Sequence, residues 1–273
     1  MHPPVVQNRA LDSTQRASAN RARVLIALLV ASLVLLVIHN ALWKIVPPSL
    51  HTSNVLLSGL GVIESILRIA EMFAFFAWAR SAWQTATTFG RPVAADVPSL
   101  AGTLLGVSLG SWLLNSLIRY VLHFYGSAFH LLTGLVSLVL AFTAMAVEWS
   151  ILSRLASASD PSPMAPVTVA TANPQAHFRE GAQVEQTVSG RVLTPPVALW
   201  FGLALTLNVT YAFNLIAMPA VLSHVSMESY AWVFVVSAVL RLVVTVALVV
   251  VLYAIEARQR EQLRRLAALW QRG

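Results

Sequence analysis

Six long apolar runs organise the chain, at residues 24–46, 55–79, 99–123, 128–152, 197–220 and 229–255. None alternates apolar with polar at a period of two, so the strands of a membrane barrel are not expected. As a helix, each run crosses about 30 Å of hydrocarbon at about 1.5 Å per residue, with some tilt. The pattern predicts an all-α fold, a polytopic transmembrane helix bundle of six spans.

The polar stretches between the runs fall on two sides. If each run crosses once, one side carries fourteen arginines, from Arg9 to Arg272, and the turns opposite carry only Lys44. That asymmetry places both termini in the cytoplasm. The expected location is a bacterial inner membrane; the lesser reading is that the arginine-bearing start is a mitochondrial transit peptide.

The expected organisation begins with a disordered basic tail over 1–23 and spans one to four over 24–153. A disordered cytoplasmic linker rich in proline, serine and alanine follows over 154–196, then spans five and six over 197–256. Residues 257–273 read as a basic amphipathic cytoplasmic helix.

A weak repeat groups the spans as three related helical hairpins. Asn40 precedes His51, Asn115 precedes His123 and Asn214 precedes His224, each pair bridging an outward span and its outer turn. Aligning "SILRIAEMF" with "AVLRLVVTV" superposes Arg68 on Arg241 and sets Phe142 or Thr143 at that point of the middle hairpin.

Composition agrees with the pattern. The chain is 57% hydrophobic and 11% charged, against about 25% charged in soluble domains. It has no cysteine, which excludes disulfides, thiolate metal sites and cysteine nucleophiles. The net charge of +7 sits where it would meet anionic lipid, so membrane lipid is an expected partner and nucleic acid is not. A second copy or a partner membrane protein is the other expected contact.

Candidate chemistry lies inside the spans. Glu64, Arg68, Glu71, Arg119, Glu148 and Arg241 are intramembrane charges, costly against lipid and therefore expected to face the bundle interior or a ligand. Glu64, Arg68 and Glu71 are spaced i, i+4, i+7 and share one helix face. Depth suggests the pairs Glu64–Arg119 and Glu71–Arg241, with Arg68 bridging along its own helix. Asn40, Asn115, Asn214, Thr210 and Ser237 extend the polar lining.

Gly102, Gly106 and Gly110 form a ridge that permits close helix approach, within the bundle or between protomers. His39, His51, His123, His130 and His224 map to the outer side, where facing imidazoles could hold a haem or metal. No cofactor is the leading expectation. No phosphate loop, zinc-protease motif or nucleophile elbow occurs in the sequence, so catalysis is not expected. Transport of a small or lipidic, anionic solute is the leading function. The alternatives are a non-catalytic membrane subunit or assembly factor, and a haem-binding redox protein.

Overall fold

The computed structural model of the protein describes residues 4–45, 55–88, 96–120, 127–159, 195–221 and 227–270, and near several helix ends it describes the backbone only. These residues form six helices: α1 (Pro4–Ile45), α2 (Val55–Thr88), α3 (Val97–Tyr120), α4 (Ser127–Ala158), α5 (Pro195–Val221) and α6 (Met227–Trp270). The all-α expectation holds. Among the described residues, five helices are long and apolar enough to cross a membrane. The sixth, α2, carries Glu64, Arg68, Glu71 and Arg80 within its length.

Two helices are longer than a span needs. α1 has 42 residues and α6 has 44; each is roughly twice as long as a bilayer core is thick, at about 1.5 Å per residue. The excess lies at the arginine-bearing end, and it corrects the expected disordered tail. The chain is helical from Pro4, because Gln15, Ser18, Ala19 and Ala22 are buried against other helices. The carboxyl-terminal segment likewise continues α6 without a break, with Gln259 and Gln262 buried. Most of the expected linker lies outside the described residues.

Each helix packs on its neighbours in the chain, and α1 meets α6 to close a ring. Inside the ring α2, α4 and α6, the second helices of the three hairpins, also touch one another. Buried positions recur in register around this arrangement. Trp78, Ile151 and Val251 are buried, as are Ala79, Leu152 and Leu252, then Ala82, Leu155 and Ile255, and finally Ala86, Ser159 and Gln259. On the outer helices Ala22, Val97 and Val197 correspond, then Leu29, Leu104 and Ala204. Ile66, Val139 and Val239 share the opposite fate and are all exposed.

The register keeps Arg68 and Arg241 equivalent. It sets Ala141 at that point of the middle hairpin, one residue before Phe142. Asn40 and Asn115 fit the outer-helix register, whereas Asn214 falls one residue short of it.

This packed core occupies the arginine-bearing end of the bundle. Toward the other end the helices turn Val30, Val34, Val62, Phe73, Val209 and Val246 outward. Lipid tails are as apolar as these side chains, so close packing and interhelical hydrogen bonds hold such a bundle together. The small residues Ala79, Ala82 and Ala86 let α2 approach its neighbours at the centre.

Candidate functional site: a charged cavity between the first and last hairpins

The i, i+4, i+7 spacing of α2 turns Glu64, Arg68 and Glu71 toward the seam where α1 and α2 face α5 and α6. There they line a cavity of about 380 Å³ together with Ser32, Tyr211 and Arg241. Leu29, Leu36, Met72 and Leu207 supply apolar wall. In order along the helices, the cavity residues lie just outward of the packed core.

The four charges are unequally partnered. Arg68 Nη2 donates to Glu64 Oε1 at 2.5 Å, one turn along the same helix. Glu64 Oε2 is 3.3 Å from His39 Nδ1 of α1. Glu64 is thus engaged from two helices, and its side chain is only 18% exposed. Arg241 instead lies over the Tyr211 ring, 5.1 Å from its centroid, a cation–π contact. Glu71 Oε1 is buried without a hydrogen-bond partner. The cavity therefore offers a guanidinium and a carboxylate that are not paired with each other.

One expected ion pair needs correction, and the other falls outside the described residues. Glu64 takes Arg68, one turn along the same helix as expected, and His39; the side chain of its other expected partner, Arg119, lies outside the described residues. Glu71 and Arg241 share the cavity without forming an ion pair. Register explains this: Arg241 is level with Arg68, about one turn outward of Glu71.

The remaining candidates distribute unevenly. Thr210 donates to the Thr206 carbonyl of its own helix at 2.8 Å and lies away from the cavity. Asn40, Ser237 and Glu148 are partly buried outside its lining. The side chains of Asn115, Asn214, His51, His123, His130 and His224 lie outside the described residues. Among the described residues no three histidines or acids group as metal ligands.

The glycine ridge faces away from the bundle. A Cβ added at Gly102, Gly106 or Gly110 would meet nothing within 4 Å, so these glycines do not mediate close approach among the described helices.

Sequence reasoning missed a second polar cluster at the arginine-bearing end of the bundle, its inner end. Glu256 Oε1 accepts from Ser18 Oγ at 2.6 Å and from Trp78 Nε1 at 3.1 Å, joining α1, α2 and α6. Gln259 donates to the Ala82 carbonyl at 3.1 Å, and Gln262 to the Ala158 carbonyl at 3.4 Å. Asp96, just before α3, pairs with Arg154 near the end of α4. One signal was available: Glu256, Gln259 and Gln262 continue the buried stripe of Leu252 and Ile255 at helical spacing. Tyr211 was legible only through the Leu207–Tyr211 face.

Comparison with known proteins finds no matching family model, no matching curated protein and no matching solved structure.

Proposed function

We propose that the protein is a six-span inner-membrane transporter with both termini in the cytoplasm, built from three related hairpins, that moves a small polar solute through this cavity. The carrying observation is that Arg241 and Glu71 line one cavity without neutralising each other. Charge placed in a span is costly unless it faces protein, water or ligand, and such residues commonly mark solute or proton pathways. In this reading α2 is the sixth span, its charges turned to the cavity. Arg241 receives the anionic group of the solute, and Glu71 receives an amine or carries a proton. The cavity volume of about 380 Å³ lies within the usual range for small-molecule sites.

The packed inner core closes the cytoplasmic side of the cavity, so passage requires the hairpins to rearrange at that end. This follows the pattern in which access alternates around a site between repeats. Solute flux into proteoliposomes tests the reading. Arg241→Leu should abolish flux while the folded protein keeps its melting temperature in detergent; undiminished flux would refute it.

One observation favours a second reading, a non-catalytic subunit or assembly factor. The ridge of Gly102, Gly106 and Gly110 is open on the outside of α3, leaving a surface suited to another helix. Stoichiometric co-purification of a membrane partner, lost in Gly106→Leu, would support it over transport.

A further inference from the structure

A second pocket, independent of the transport reading, lies at the inner end of the seam between α1 and α6. It has a volume of about 330 Å³ and is lined by Gln15, Arg16, Ala19, Asn20, Arg23 and Arg260. Positions 15, 16, 19, 20 and 23 form one face of α1 by helical spacing, and α6 supplies Arg260. Three guanidiniums and two amides meet there, and among the described residues no acid lines the pocket. Gln15 is only 6% exposed, and its amide nitrogen is buried without a hydrogen-bond partner. A donor-rich, positively charged pocket fits an oxyanion, and the planar arginine fork suits phosphate above all.

Its depth favours one source of phosphate. Arg23 directly precedes Val24, the first of the exposed apolar residues that continue up α1 through Val30 and Val34. On α6 the exposed Val250 and Tyr253 come before Arg260. The pocket therefore sits where the apolar surface of both helices gives way to basic residues, the level of lipid headgroups. Basic pockets between helices on the cytoplasmic side are known lipid-headgroup sites.

We propose that this pocket binds the phosphate of an anionic phospholipid headgroup, whose acyl chains lie along the valine row of α1. A phosphate held there bridges the first and last helices, which close the ring from opposite ends of the chain.

The test uses the full-length protein in detergent, followed by native mass spectrometry and melting temperature. The probes are phosphatidylglycerol, phosphatidylcholine and inorganic phosphate, each alone. The expected result is a single retained phosphatidylglycerol with a raised melting temperature, and no comparable effect of phosphatidylcholine. Arg23→Gln with Arg260→Gln should weaken that retention about fivefold for each arginine removed. Arg264→Gln with Arg265→Gln, also exposed on α6 but outside the pocket lining, should leave it unchanged.

If inorganic phosphate gives the effect and the lipid does not, the phosphate site stands and its source is soluble. Retention that survives the Arg23/Arg260 exchange overturns the pocket. So does retention lost equally in the control pair, because attraction would then be diffuse. Should the double variant fail to fold, Arg260→Gln alone serves the same comparison.

Discussion

The charged cavity and the inner-end cluster both bury polar side chains between helices, yet they are built differently. At the inner end Glu256, Gln259 and Gln262 each hydrogen-bond to a group on another helix, and Trp78 and Ile255 pack around them. In the cavity Glu64 meets His39 of α1, Arg241 rests on the Tyr211 ring of α5 without a carboxylate partner, and Glu71 Oε1 stays unsatisfied. A network bonded from helix to helix serves cohesion, even with Glu256 Oε2 and Gln259 Oε1 left without a partner. A site that leaves opposite charges apart retains capacity to bind something else. The difference teaches that charge within a span is not diagnostic by itself; its partners are.

The sharpest way to break this comparison is to attack the inner end. Trp78→Ala removes one of the two tryptophans buried in the core and the indole donor to Glu256. It should cost about 3–5 kcal/mol, read as a large fall in melting temperature, whereas a small change would mean that the core is not what holds the ring. Glu256→Ala comes next. It leaves Ser18 and the Trp78 indole without their shared acceptor and should cost about 1–3 kcal/mol, measured the same way. Glu256→Gln should recover part of that loss by keeping one acceptor.

Cavity substitutions should do the reverse. Glu71→Gln should change flux or solute selectivity while altering stability by less than about 1 kcal/mol, since it keeps the side-chain shape and Oε1 has no hydrogen-bond partner to lose. A loss as large as that of Glu256→Ala would place Glu71 with the structural cluster and erase the distinction drawn above. The smallest effect is expected at Gly106→Ala, where a Cβ meets open space. Folding stability should change by no more than about 1 kcal/mol, and in the favourable direction on helix propensity alone. A clear destabilisation in detergent would show that α3 packs on something beyond the described bundle.

Much of the local organisation was legible in the sequence. Apolar run length located the helices, and the α2 spacing correctly put Glu64, Arg68 and Glu71 on one face, because helical periodicity is a local property. Arg68 and Arg241 also hold equivalent positions in the register that the buried residues of α2 and α6 define, although Arg68 itself is exposed. The expected Glu71–Arg241 ion pair does not form. Depth alone could not say that His39 would meet Glu64, or that Tyr211 would take the face of Arg241. Such choices depend on how each helix is rotated in the ring.

The inner end was misjudged for a related reason. Residues 4–23 and 257–270 are polar enough to look like solvated tails, and polarity along the chain does not reveal that Ser18 will meet Glu256, 238 residues away. By itself the sequence determined helices, their membrane character and the clustering of charge on the face of α2, all set by spacing and hydropathy within a segment. The tertiary structure decided which polar groups satisfy one another and which remain open. Only packing among distant helices sets the rotations and depths that bring donors to acceptors.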